Sequence, residues 1–429
     1  MDFTNKRKNS HVLIKDKYNM SANKHRKVLI ENFLSLSVLE VSNMLMSFIT
    51  LPYVLRVLGQ NGYGIYAMAF AFIGYFVTLV DYCFSVTGSR AIAISRDSLE
   101  EVKRIYSIIM KSKFFLLAIS LFLFFLLLYS IPQLKTNKEA YICTLPMLLG
   151  NILFTDWLFQ GLEKMKFITF INVSVKFIFT LSVFLFIKDP QDVYLYILLQ
   201  SSGYLLAGTA SQYILYKTYH IHLIKTNFSQ SLLMIKEGSA LFINILLPNL
   251  YGATSILLLG IFYQEQEAGV FESIKKIAML ACSLITIMTR VFFPYLNREK
   301  AAFKKLARLT MLVGFSMMVG LILGCPIIFW YLNITDFSYF WVLVLLSFNV
   351  IGFSMNKTYG QNYLVTHKKD YLYLKATAIA SISGGLLAIP LVYFFSSLGA
   401  AATIMISNMI SGMLCYRFHQ KLKSIANSV

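Results

Sequence analysis

The chain has 429 residues, 57% of them hydrophobic and 14% charged, with a formal net charge of +19 and a mean hydropathy of +0.64. Soluble domains are rarely more than half apolar. Their apolar residues also form faces rather than unbroken runs such as "FFLLAISLFLFFLLLYSI" at 114–131, so a soluble globular domain is excluded and a membrane-embedded chain is implied.

Residues 1–27 are polar and Lys-rich and read as a basic cytoplasmic arm without regular structure, with Met20 as an alternative start. The basic arm followed by a long first span reads as an uncleaved signal anchor. Twelve transmembrane helices are expected, at 30–58, 64–88, 113–131, 140–160, 166–187 and 193–216, then at 238–262, 268–292, 307–332, 337–361, 371–395 and 398–416. About 20 residues at a 1.5 Å rise cross a hydrocarbon core. With both termini inside, the outer turns hold only Lys135, Lys138 and Lys188, and the inner segments carry most other Lys and Arg. That asymmetry is the positive-inside rule, so the basic excess is topological and no nucleic-acid partner is expected.

Between spans, "SRDSLEEVKRIYSIIMKSK" (95–113) reads as a cytoplasmic amphipathic helix with Leu99, Val102, Tyr106 and Ile109 on one face. Residues 217–237 read as a cytoplasmic linker between an N-lobe at 28–216 and a C-lobe at 238–416, with a tail at 417–429. Gly64 and Gly269 lie 205 residues apart, and Gly208 and Gly412 lie 204 apart; spans one and seven each carry an interior proline, Pro52 and Pro248. The near-equal offsets point to an all-α protein built as a parallel 6+6 pseudo-repeat.

The five cysteines, Cys83, Cys143, Cys282, Cys325 and Cys415, lie in or at the ends of spans without a C-x-x-C and read as free thiols. No nucleotide-binding, zinc-protease or nucleophile-elbow motif occurs, so no cofactor, metal or catalytic residue is expected. What remains is ionisable groups at membrane depth, which cost about 2.5–3.5 kcal/mol each at a helix centre and point to a pathway. They are Glu40 and Arg56 in span one, Asp81 in span two, Asp156 in span four and Lys176 in span five. Span eight adds Glu272, Lys275 and Lys276, and span ten adds Lys357.

In span eight, Glu272 and Lys276 have the spacing of a helical ion pair, leaving Lys275 without a local partner. Arg56 has two readings. It lies three residues before Gly59 and could snorkel to the headgroups, or its planar fork could receive a phosphate or diphosphate beside Lys275 and Lys276. Tyr53, Tyr63, Tyr66, Tyr75 and Tyr82 offer faces for sugar rings or an interfacial belt, and Asn43, Gln60 and Asn249 offer amides.

The stretch "TLPYVLRVLGQNGYGIYAMAFAFIGYFVTLVDYCFSVTGSRAIA", followed by "DWLFQGLEKMKFIT", "ILLLGIFYQEQEAGVFESIKKI" and "VFFPYLNR", resembles the bacterial polysaccharide flippases of the O-antigen (Wzx-like) type. The resemblance implies the multidrug/oligosaccharidyl-lipid/polysaccharide exporter fold, two six-helix lobes facing a cavity. It implies a flippase rather than an enzyme, moving undecaprenyl-diphosphate-linked oligosaccharide across the bacterial inner membrane, with polymerase or chain-length proteins as partners. On it, Arg56 matches the motif arginine and Lys276 the span-eight lysine; Glu40 and Cys83 depart from the pattern. Cationic substrate contacts are expected at Arg56, Lys176, Lys275, Lys276 and Lys357. Proton or sodium coupling is expected at Glu40, Asp81, Asp156 or Glu272, and hinges at Pro52, Gly59 and Pro248. A cation-coupled drug exporter of the same superfamily is the alternative, and a membrane polysaccharide polymerase a second; the latter would need an outer catalytic loop that this topology lacks.

Overall fold

The computed structural model describes residues 3–298 and 302–428, and these are helices and turns throughout. In chain order the helices are α1 (Phe3–Asp81), α2 (Phe84–Ser95), α3 (Leu99–Ser130), α4 (Pro132–Lys135), α5 (Lys138–Ile142), α6 (Leu145–Leu153), α7 (Asp156–Gly161) and α8 (Met165–Phe186). They continue with α9 (Val193–Tyr219), α10 (Phe228–Leu246), α11 (Asn249–Phe262), α12 (Glu265–Arg298), α13 (Phe303–Leu323), α14 (Cys325–Tyr331), α15 (Phe340–Met355) and α16 (Asp370–Ser428). A π-helical stretch, Asn356–Val365, extends α15.

Among the described residues, seven helical segments are long and apolar enough to cross a membrane. Two of them, Leu34–Ser95 (62 residues) and Asp370–Ser424 (55 residues), exceed twice the roughly 20 residues that one crossing needs. Leu34–Ser95 is broken by two residues of positive φ, Gly59 (φ 70°) inside α1 and Tyr82 (φ 51°) between α1 and α2, and Asp370–Ser424 by one, Ser396 (φ 49°) in α16. The expected spans at 193–216, 238–262 and 268–292 are helical but fall outside the seven. In α12, Glu265, Glu267, Glu272, Lys275 and Lys276 lie in the first turns.

The backbone departs from the sequence reading at three places. Residues 3–27, expected to lack regular structure, continue α1, and no Gly or Pro interrupts the chain before Pro52. Pro52 is carried inside helix; the break falls at Gly59, where a left-handed φ favours a residue without Cβ. The 95–113 segment is not a separate surface helix but the first half of α3, with Val102, Tyr106 and Ile109 buried in the protein and Leu99 exposed. The 217–237 linker is tied down there: Lys111 Nζ donates to Thr226 O, and the Ile224 N–H to Ser107 Oγ at 2.8 Å.

Helices up to α9 pack mainly on one another, and so do those from α11 onward. Contacts between these N-terminal and C-terminal bundles run chiefly along α1 against α12, with α1 on α11 and α3 on α10. Near Gly59 this seam is very close. A Cβ on Gly64 would lie 1.7 Å from Glu265 O, and one on Gly269 would lie 1.9 Å from Gln60 O. The sequence-matched glycines thus face each other. The second matched pair shows parallel packing: Gly208 sits against Gly150 O and Leu153, and Gly412 against Gly352 O and Met355.

More bonds join the bundles at the same end. Gln60 Nε2 donates to Leu332 O at 2.9 Å, Asn137 Nδ2 to Glu265 Oε1 at 3.0 Å, and Tyr331 Oη to Phe48 O. This end is the closed end. All five cysteines are free.

Candidate functional site

Inside the seam lies a cavity of about 380 Å³, lined by residues of α1, α8, α9 and α12. Its polar wall comprises Glu40, Asn43, Asn172, Lys176, Gln200, Tyr204 and Lys276. Glu40 and Asn43 lie on the first half of α1, and Asn172 and Lys176, four apart on α8, share one face. Lys276 reaches in from α12.

The charges do not cancel. Glu40 is held by Arg290 of α12 at 2.9 Å, which ties the two bundles together again toward the opposite end of the seam. Arg290 stands 21 residues from Gly269, or about 30 Å along the helix. Lys176 donates to the Asn43 carbonyl at 3.3 Å. Lys276 donates to Tyr63 Oη at 3.2 Å and stands 5.7 and 5.9 Å from the centroids of the Tyr63 and Tyr66 rings. Neither lysine forms an ion pair among the described residues. A partly buried ammonium held only by a carbonyl, a phenol and ring faces keeps an unsatisfied attraction for anions.

The far side of α12 faces a second cavity of about 420 Å³, lined by Tyr66, Phe70, Pro248, Tyr251, Glu272, Lys275, Asn349 and Asn408, among others. Here the charges do cancel, because Lys275 pairs with Glu272 at 2.5 Å. The expected pairing is therefore corrected: Glu272 takes Lys275, and Lys276 is the lysine left over. Relative to Glu272, Lys275 lies about 60° to one side and Lys276 about 40° to the other, so both are within reach, and the tertiary contact decides: Lys276 is held by Tyr63 and Tyr66 of α1, which leaves Glu272 to Lys275.

The other candidates separate. Arg56 is exposed, with its guanidinium 6.0 Å from the Trp330 ring centroid, and lines neither cavity. Lys357, on the π-helical stretch, donates to Gln361 Oε1 at 3.1 Å and lines neither cavity. Asp81 is paired with Lys113 at 2.7 Å and accepts from Asn151 at 3.4 Å, inside the N-terminal bundle. Asp156 is the first residue of α7 and accepts from the Trp157 N–H at 2.8 Å. Of the four carboxylates, only Glu40 and Glu272 reach a cavity, and both are paired. Pro248 sits at the junction of α10 and α11, where it lines the second cavity. The side chain of Asn249 lies outside the described residues.

Sequence reasoning missed Arg290 and Lys113. Both looked like ordinary charges near span ends; a carboxylate distant in sequence supplies each with its partner. The amides Asn172 and Gln200 were missed because uncharged residues in a span give no signal by themselves.

Residues 29–300 match the family described as "Polysaccharide biosynthesis protein". A protein of Escherichia coli (strain K12) carrying the name "Putative O-antigen transporter" is 27% identical over 406 residues, covering 92% of this chain and 98% of its own. A protein of the same name from Shigella dysenteriae is 24% identical over 389 residues, covering 89% and 97%. Among solved structures, the lipid II flippase MurJ in an inward closed conformation superposes with a TM-score of 0.68 at 15% identity, over 91% of this chain and 87% of its own. An inward-facing MATE family multidrug transporter of the MOP superfamily gives 0.60 at 12% identity, over 92% and 99%. The last two likenesses concern the fold alone. An all-helical chain with several apolar helices of spanning length, matched over 29–300 by this family, belongs to the polysaccharide biosynthesis protein family of multi-pass membrane transporters.

Proposed function

We propose that the chain is a flippase that carries an undecaprenyl-diphosphate-linked oligosaccharide, the repeat unit of an O-antigen or related surface polysaccharide, from the cytoplasmic to the periplasmic leaflet of a bacterial inner membrane. The observation that carries this reading is the first cavity. Its two lysines, Lys176 and Lys276, form no ion pair among the described residues, and Glu40, the carboxylate beside them, is held by Arg290. A diphosphate supplies the missing negative charge through charge-assisted hydrogen bonds, and Asn43, Asn172, Gln200 and Tyr204 supply the amides and phenol that sugar hydroxyls need.

In this reading the chain crosses the membrane twelve times as two six-helix lobes with both termini inside. The face-to-face Gly64–Gly269 contact and the parallel packing of Gly208 and Gly412 support the duplication. The closed end is periplasmic, and alternating access rocks the lobes about the α1–α12 seam. The Glu40–Arg290 pair opens when substrate enters, and Glu40 or Glu272 is the carboxylate placed to couple a proton or sodium gradient. The polyprenyl tail stays in the bilayer, and a polymerase receives the product outside. Cation-coupled drug export fits less well, since an organic cation needs a free carboxylate and both cavity carboxylates are paired.

The test is complementation of a deletion strain with wild type, Lys176→Ala, Lys276→Ala and Arg56→Ala at matched membrane levels. Loss of surface polymer with accumulation of inner-leaflet repeat units is expected for the two cavity variants and not for Arg56→Ala. A deletion that leaves surface polysaccharide intact would remove the flippase reading.

A further inference from the structure

A concave site of about 810 Å³ lies away from the seam, on the C-terminal bundle between α13, the π-helical stretch and the end of α16. Its floor is a continuous set of rings. Phe303 stands 4.9 Å from Tyr363 and 5.3 Å from His419; Tyr363 stands 4.1 Å from both His367 and His419; and Tyr359 stands 4.9 Å from Tyr416.

Three cations rim it: Lys304 and Arg308, four apart on one face of α13, and Lys423 from α16. All three are exposed and none forms an ion pair among the described residues. No carboxylate lines the site among those residues. His419 Nδ1 is buried there with no hydrogen-bond partner.

The site also changes character along α13. Below the basic rim the walls are Met311, Leu312, Phe315 and Ile351, with Leu312 and Phe315 57% and 55% exposed. Phe315 lies seven residues past Arg308, about 10 Å along the axis. A cationic and aromatic end, around Phe303, Lys304 and Arg308, followed along α13 by an exposed apolar run has the polarity of a single lipid molecule standing in one leaflet. A free anion would use the rim and leave the apolar run uncovered.

We infer that this groove binds a phospholipid with a net-negative headgroup, its phosphate on Lys304, Arg308 and Lys423 and an acyl chain along Met311, Leu312, Phe315 and Ile351. The inference goes beyond the flippase reading and does not depend on it. Each basic side chain near a headgroup strengthens anionic-lipid binding several-fold, so removing three lowers it by a factor of ten or more.

The experiment is native mass spectrometry of the full chain, released from membranes and titrated with phosphatidylglycerol or phosphatidylethanolamine. The parent is compared with Lys304→Gln/Arg308→Gln/Lys423→Gln, with Phe315→Ser, and with a charge-matched control, Lys164→Gln/Lys166→Gln/Lys217→Gln. The parent and the control are expected to retain phosphatidylglycerol in preference to phosphatidylethanolamine. The rim variant is expected to lose about tenfold in phosphatidylglycerol retention at an unchanged melting temperature, and Phe315→Ser to lose several-fold. Equal retention by the rim variant overturns the inference, as does equal binding of the two lipids. Displacement by excess inorganic phosphate, with Phe315→Ser behaving as the parent, would assign the rim to a free anion and also overturn it.

Discussion

Replacing Lys276 by Met separates function from stability. The side chain is similar in length, but the ammonium goes. On the stability side, the change loses the 3.2 Å bond to Tyr63 Oη, about 1 kcal/mol net. It also loses two ring contacts at 5.7 and 5.9 Å, about 0.5–1 kcal/mol each. Against this stands the desolvation of an ammonium without a carboxylate, a penalty of several kcal/mol per ion. Desolvation wins, so the melting temperature of Lys276→Met should stay level or rise. On the functional side, a charge-assisted hydrogen bond to phosphate contributes about 1.5–3 kcal/mol, which is roughly 10- to 100-fold in substrate affinity. The assay is purified protein in proteoliposomes with a fluorescent polyprenyl-diphosphate sugar, following loss of dye from one leaflet. Flipping at the wild-type rate, or a melting temperature that falls by several degrees, would refute the account of Lys276 as an unneutralised cavity cation.

The other expectations are narrower. Breaking the Asp81–Lys113 pair should be asymmetric, because the Lys113 side chain is 1% exposed and that of Asp81 39%. Asp81→Asn strands a buried cation and should cost about 3–5 kcal/mol, whereas Lys113→Met leaves a carboxylate that water partly reaches and should cost about 1 kcal/mol; equal losses in thermal melts would contradict the pairing. Arg290→Gln should weaken flipping by leaving Glu40 charged against an anionic substrate, and Glu40→Gln/Arg290→Gln should recover most of it; a double variant worse than both singles would show that the pair acts otherwise. Gly269→Ala places a methyl 1.9 Å from Gln60 O, so it should pry the closed end apart, read as faster thiol labelling of Gln60→Cys from outside. At the turn after α8, Asp192 accepts the Lys188 and Asp189 N–H groups at 2.7 and 2.9 Å, and these bonds hold its carboxyl below the usual 3.8. A depressed folded-state pKa gives stability that is present above the unfolded value and lost as pH falls through the folded one. Asp192→Asn should therefore lower the melting temperature at neutral pH and lose that difference as pH falls below about 4; a difference that persists unchanged in acid would point to another role.

What the sequence determined by itself is the class of the molecule, because membrane insertion is read from runs. An unbroken apolar stretch and a break at Gly59 are local properties, and each translates directly into long apolar helices and where they bend. The glycine offsets were legible for a similar reason: where two helices touch backbone to backbone, only Gly fits, so Gly64 and Gly269 mark a contact that tolerates nothing larger. The pairing of charges was decided elsewhere. Arg56 carries the most suggestive motif position, yet it stands on the surface over Trp330. Lys276 follows a lysine of the same chemistry, yet one neutralises Glu272 and the other opens onto the cavity. Glu40 finds Arg290 some 250 residues away. A helix presents side chains all round its axis, and its sequence does not say which direction holds lipid, protein or cavity. Only the packing of α1 and α12 against each other fixed that rotation, and with it which charges were left free to act.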